Sequence, residues 1–148
     1  MYETSGSRAI AATQSALTLM GGTGVVVCLR EFALSTSGVP SSDQNVNAQL
    51  RRFTAAGTGT TLTAGIKSPG SHPTPEVTLL GNLTAEPTYS AGFVMDLYFN
   101  PRNNRPWVAY DQRGEILVPL TANNGIGFQC TAVGGGVGNF NAEAAWVE

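Results

Sequence analysis

Clusters of Gly, Pro, Asn, Asp and Ser interrupt this chain every eight to fifteen residues, and no ten-residue stretch between them carries apolar side chains at the spacing of a helix. Such a rhythm suits short strands joined by turns. From Asn45 to Thr54 the apolar Val46, Ala48 and Leu50 alternate with Asn47, Gln49 and Arg51, the two-residue period of a half-buried strand. Gly21-Gly22-Thr23-Gly24 precedes Val25 to Leu34, a β-branched run long enough to cross a sandwich. Further strands are expected at Val77 to Leu80, Phe93 to Phe99, Trp107 to Tyr110, Glu115 to Leu120, Ile126 to Val133 and Phe140 to Trp146. In the second of these, Phe93, Met95, Leu97 and Phe99 share one face, which predicts core. With no helical segment between them, about eight antiparallel strands point to an all-β jelly roll or related β-sandwich rather than a parallel α/β sheet.

A chain of 148 residues is long enough for one core without disulfides or metal. Residues 25–148 read as a single β-sandwich domain, preceded over residues 1–24 by an N-terminal arm and first strand. Arg8 to Leu19 reads as a strand preceded by an arm, or as a short helix. Met1 to Ser7 offers Tyr2 as its one sizeable apolar residue after the initiator, too little to offset ordering entropy, so the arm is expected to be disordered in the isolated protein. Phe140 to Val147 alternates, which predicts a last strand with Trp146 anchored in the core.

Charged residues make up only 12% of the chain, about half the usual share, which counts against a coiled coil, a charged bundle or a solvated tail. With a net charge of −2, one lysine (Lys67) and Arg51-Arg52 as the only adjacent basic pair, no basic field exists to hold nucleic acid. Tyr-Glu-Thr-Ser-Gly-Ser after Met1 is no secretory n-region, and the first apolar run is far too short to span a bilayer, so cytoplasmic synthesis and no membrane partner are expected. Without a secretory signal the acceptor pattern Asn82-Leu83-Thr84 carries no weight. Cys28 and Cys130 each sit in a strand-like run and are expected as free thiols; whether they approach in space is open.

The residue types of familiar catalytic sites are sparse. His72, the single histidine, lies between Ser71 and Pro73 in a proline-rich loop, which excludes a paired-histidine zinc site and reads as a solvated side chain. A Cys28 nucleophile would sit inside a β-branched run, where burial keeps a thiol inert. Gly21 to Gly24 and Gly134 to Gly138 do not follow a strand and open a helix, so they read as turns rather than phosphate loops. Asp43, Asp96, Asp111, Glu31, Glu76, Glu86, Glu115 and Glu143 form no calcium ladder, while a carboxylate pair assembled from distant strands is beyond sequence reading. Trp107 and Trp146 fall in strand-like runs and read as core. No catalytic, cofactor-binding or metal-binding residue is assigned, and the expectation is a protein that is not an enzyme.

The order Leu29-Arg30-Glu31-Phe32 with Ser35 and Gly38, Leu50-Arg51-Arg52-Phe53-Thr54 with Gly57-Thr58-Gly59, Lys67-Ser68-Pro69, Thr84-Ala85-Glu86-Pro87-Thr88 and the terminal Ala144-Ala145-Trp146-Val147-Glu148 resembles the capsid decoration (cement) proteins of tailed bacteriophages, small jelly-roll virion structural proteins. The resemblance runs from about Val25 to Glu148. It implies a trimer on the outer surface of the capsid, synthesised in the host cytoplasm, with the major capsid protein as partner and stabilised capsomer contacts as the function. The Asn100 to Pro106 insert and Trp107-Val108-Ala109-Tyr110 depart from the pattern, and the resemblance says nothing of what they contact. Two other functions are weighed beside it: a carbohydrate- or receptor-binding module using Arg102, Arg105 and Trp107 in the Asn100 to Tyr110 segment, and a phage tail or neck component.

Overall fold

The alternation of Val46, Ala48 and Leu50 becomes the apolar, buried face of a ten-residue strand, with Asn47, Gln49 and Arg51 on its other face. The computed structural model describes residues 1–9, 12–22, 24–38, 45–68, 70, 73–131 and 138–148, and in them thirteen strands and no helix. These are β1 (Tyr2–Ala9), β2 (Gln14–Met20), β3 (Val27–Thr36), β4 (Val46–Ala55), β5 (Thr58–Thr61), β6 (Gly65–Ile66), β7 (Thr78–Ala85), β8 (Thr88–Tyr89), β9 (Met95–Phe99), β10 (Arg105–Val108), β11 (Ile116–Val118), β12 (Gly125–Thr131) and β13 (Asn139–Val147). They form two antiparallel sheets. The first runs β10-β3-β13-β1-β6 with β11 also on β3, and the second runs β5-β7-β2-β12-β4-β8 with β9 also on β4.

The sheets face each other as a sandwich, and the inward side chains of the central strands fill the space between. Leu29, Leu34, Phe140 and Trp146 come from the first sheet, and Leu17, Leu19, Leu50, Ile126 and Phe128 from the second. Phe32 of β3 meets Phe128 of β12 edge-on, ring centres 5.2 Å apart, joining the two layers. Trp146 is fully buried and stacked on Tyr2 at 5.9 Å. The expected C-terminal strand is therefore present with its anchor in the core.

Several expectations change. The strand count rises from about eight to thirteen, because the stretch between β4 and β9 contributes the short strands β5, β6 and β8 beside the expected β7, and because the N-terminal residues supply β1. The N-terminal arm is a strand: β1 pairs with β13 over eight residues, from Tyr2 opposite Trp146 to Ala9 opposite Asn139. Its ordering comes from that ladder and from Tyr2, Thr4 and Gly6 turned inward, which a count of apolar residues does not register. Residues 1–24 thus supply a strand to each sheet of the same sandwich that residues 25–148 form, and the strand reading of Arg8 to Leu19 holds over the helix. Met95, Leu97 and Phe99 pack toward the core as expected, but Phe93 precedes β9 and is 57% exposed. His72, Pro40, Asp43 and the stretch Gly134 to Val137 lie outside the described residues.

Candidate functional site on the outer face of the first sheet

Strand alternation sends Tyr2, Thr4, Phe32, Ala142 and Ala144 inward, and so turns Glu3, Ser5, Glu31, Ala33, Glu143 and Ala145 to the outside of the first sheet. Register then sets the rows. Ala145 lies opposite both Glu3 of β1 and Glu31 of β3, while Glu143 lies opposite Ser5 and Ala33. At one margin, β10 adds Val108 beside Glu31 and Pro106 beside Ala33. At the other, β6 pairs with β1 and delivers Lys67, whose backbone N–H donates to the Met1 carbonyl at 3.0 Å. The result is a cleft of about 580 Å³ with Glu3, Glu31, Glu143 and Lys67 as its charged lining.

The Lys67 ammonium donates to Glu31 and stands 4.0 Å from the Glu3 carboxylate. The hydrogen bond to Glu31 holds the ammonium above its usual range against the opposing effect of burial, and the charges of Glu31, Glu3 and Glu143 add to the rise. From beside β6 Lys67 reaches Glu31 on β3, across β1 and β13, and Ala145 of β13 is buried on this outer face although it points away from the core. Three carboxylates against one ammonium leave the cleft net negative. Arranged this way it can bind a cationic group.

The outer face of the second sheet is closed by its own chain. The strap after β7 folds back and pairs as β8 with β4, Phe53 opposite Tyr89. Glu86 accepts from the Ser15 hydroxyl at 2.6 Å, from the Ser15 N–H at 3.2 Å and from Arg8 at 3.1 Å. The Ser15 hydroxyl also contacts the Tyr89 hydroxyl at 2.6 Å. Arg51 lies over the Tyr89 ring at 5.1 Å and donates to Gln129 and to the Ser90 carbonyl. These polar side chains pair with one another out of water, while the Arg51 Nε is buried without a hydrogen-bond partner.

The residues singled out from sequence are scattered. Trp107 lines the cleft but has one ring face on Phe32, centres 5.1 Å apart, while Arg102 on the preceding loop and Arg105 at the start of β10 are exposed and outside the lining. Asp96 accepts from Asn47 and Gln49, Asp111 from the N–H groups of its own turn, and Glu76 from Gly24. Arg30 lies 2.7 Å from Glu115, beside Cys28. Burial pushes the Cys28 thiol up, Glu115 adds to this by hydrogen bond and charge, and Arg30 opposes it. Both cysteines are free, Cys28 in the first sheet and Cys130 in the second. Among the described residues no group of three or more His, Cys, Asp and Glu side chains is placed to hold a metal ion. Sequence reading missed the cleft because its carboxylates come from the first, third and last strands. The one signal available was Lys67, the single lysine of the chain. No protein-family model, no curated protein and no solved structure matches this chain.

Proposed function

We propose that this chain is a non-enzymatic virion structural protein: a capsid decoration protein that binds the outer surface of a tailed-phage head, associates with itself as a homotrimer and stabilises contacts between capsomers of the major capsid protein. The observation that carries the reading is the strand order. Setting β5 to β8 aside as one insertion and taking β10 with β11 as a single position leaves eight positions along the chain. In the first sheet the first position pairs with the eighth, the eighth with the third and the third with the sixth; in the second sheet the second pairs with the seventh, the seventh with the fourth and the fourth with the fifth. That order supports a jelly roll of two Greek keys, an architecture found in viral capsid and lectin domains. Fold alone does not assign function. The resemblance of the ordered motifs from Val25 to Glu148 supplies the choice of capsid. Exposed Phe93, Tyr98, Val108 and Tyr110 offer apolar area that docking on a shell would bury.

The test is co-sedimentation of the purified chain with heads of the phage that encodes it, stripped of their surface proteins. The expected result is saturable binding, with density for the chain on the outside of the shell. Failure to bind heads, or density at the neck or tail, overturns the decoration reading.

A further inference from the structure

β10 and β11 edge the first sheet along β3, and β8 and β9 edge the second along β4. The two edges form one margin of the sandwich. There the Arg52 guanidinium of β4 donates to the Leu117 carbonyl of β11 at 2.9 Å, while the Arg52 carbonyl accepts from the Ser90 N–H at 2.9 Å. Among the described residues, seven of the eight large apolar side chains that stand exposed lie on or beside this margin, and only Ile66 of β6 lies on the opposite one. They fall on two flanks. Leu117 is exposed between the buried Ile116 and Val118, so it points to the outside of the first sheet, as Val108 does beside Glu31; the fully exposed Tyr110 stands between them, and Val26 and Leu120 lie at the β11 end. Tyr98 lies between Leu97 and Phe99, which pack toward the core, so it points to the outside of the second sheet, with Phe93 ahead of it on the same edge.

A shell that approaches from one side covers one flank and leaves the other in water, whereas in a closed ring of copies each subunit meets one neighbour with each flank. We infer that the β9 flank of one copy of this chain, Phe93 and Tyr98, packs on the β10–β11 flank of the next, Tyr110 and Leu117, around an axis that runs along this margin. Area selects the occupant. Phe93, Tyr98 and Tyr110, at 57%, 63% and 100% exposure, leave about 330–550 Å² of aromatic surface uncovered. An interface of standard size buries on the order of 700–1,100 Å² of non-polar surface, both sides counted. Each contact of the ring covers all three aromatic side chains and adds Val26, Val108, Leu117 and Leu120. Composition agrees: between Thr88 and Leu120 there is no lysine, and the one glutamate, Glu115, has its side chain buried beside Arg30. Exposed aromatic residues with lysine and glutamate absent are the mark of an interface rather than of a free surface.

The inference rests on the homotrimer in the proposed function, whose surfaces it names, and needs no shell. The experiment is sedimentation equilibrium of the purified chain and of two variants, each truncated on one flank: Phe93→Ser with Tyr98→Thr, and Tyr110→Ser with Leu117→Thr. The unchanged chain has the mass of three copies, and each variant associates more weakly by roughly thirtyfold or more. An equimolar mixture of the two variants gives a complex of two chains and nothing larger, since the intact flank of one meets the intact flank of the other and the truncated flanks cannot close the ring. Circular dichroism melts establish that each variant is folded. The single change Tyr110→Ser, at a side chain wholly in solvent, keeps the test open if a double variant is not, and it too must weaken association. An unchanged chain that binds heads but stays monomeric overturns this inference and leaves the capsid reading standing. A variant that keeps the mass of three copies, or a mixture that stays monomeric, overturns the assigned flanks.

Discussion

At Gly127 the second sheet has room for a hydrogen atom and nothing larger. A methyl group there would collide with the Tyr89 hydroxyl and stand 3.1 Å from the ring carbon that bears it. The ring cannot swing away freely, because its hydroxyl is tied to Ser15, which Glu86 holds in turn. Gly127→Ala should therefore cost about 1–3 kcal/mol, in the range of overpacking in a filled core. In a Tyr89→Phe background, where the obstructing oxygen is gone, the same change should cost less. Denaturant melts of the four proteins of this cycle measure the coupling, and equal costs in both backgrounds would show that Tyr89 is not the obstacle. A second residue-scale effect concerns pH. Burial pushes the Cys130 thiol up to about 12 from an ordinary 9.0. Between those values the folded chain keeps a proton that the unfolded chain releases, so stability is full below pH 9.0 and declines as pH rises toward about 12. Tyr89, raised chiefly by burial, with the Glu86 charge adding and Ser15 and Arg51 opposing, contributes in the same direction. Unfolding free energies across this range should fall less steeply for Cys130→Ala than for the unchanged chain; parallel slopes would remove Cys130 as a cause.

Elements that bury a continuous apolar face announce themselves in sequence, and those ordered by a neighbour's backbone do not. β4 and β13 alternate, and β3 is a β-branched run bounded by glycines, so their positions follow from side-chain pattern alone. β5 is Thr-Gly-Thr-Thr with every residue exposed; nothing in those side chains calls for a strand, and it exists because β7 offers a ladder. Its approach to β7 is close, since a side chain at Gly57 would strike the Ala85 carbonyl. β1 is the same case at greater length: Glu3, Ser5 and Ser7 face out, while Tyr2, Thr4 and Gly6 turn in, and a methyl group at Gly6 would run into the Ala16 carbonyl of β2. A glycine that reads as chain flexibility in sequence is a point of contact between the two sheets in space. The cleft was illegible for a related reason. Glu3, Glu31 and Glu143 become neighbours only through the order β3-β13-β1, and that order is a property of pairing across almost the whole chain.

At the scale of the whole molecule, the β1–β13 ladder joins residues from the two ends of the sequence, and much of the first sheet depends on it. β1 lies between β13 and β6. Besides its eight paired positions, it sends the Tyr2 hydroxyl to the Pro73 carbonyl at 2.6 Å and the Thr4 hydroxyl to the Thr63 carbonyl at 3.3 Å, while the Met1 carbonyl receives Lys67. Removing residues 1–7 would strip one edge of β13, uncover Trp146 and take away the β1 partners of Thr63, Lys67 and Pro73. Replacing Tyr2 alone with Ala should cost about 3–5 kcal/mol, the range for loss of a large buried aromatic. Since a domain of this kind has about 5–15 kcal/mol in total, that single change consumes much of the margin and the full deletion should exceed it. The expected outcome is a chain lacking residues 1–7 with no cooperative thermal transition and with Trp146 fluorescence shifted toward that of a solvated indole. Ser7→Ala, at an exposed outward position of the same strand, should leave the midpoint nearly unchanged. A deleted chain that melts cooperatively at the midpoint of the intact one would mean that β1 is an accessory to the sandwich and that β13 holds Trp146 in place without it.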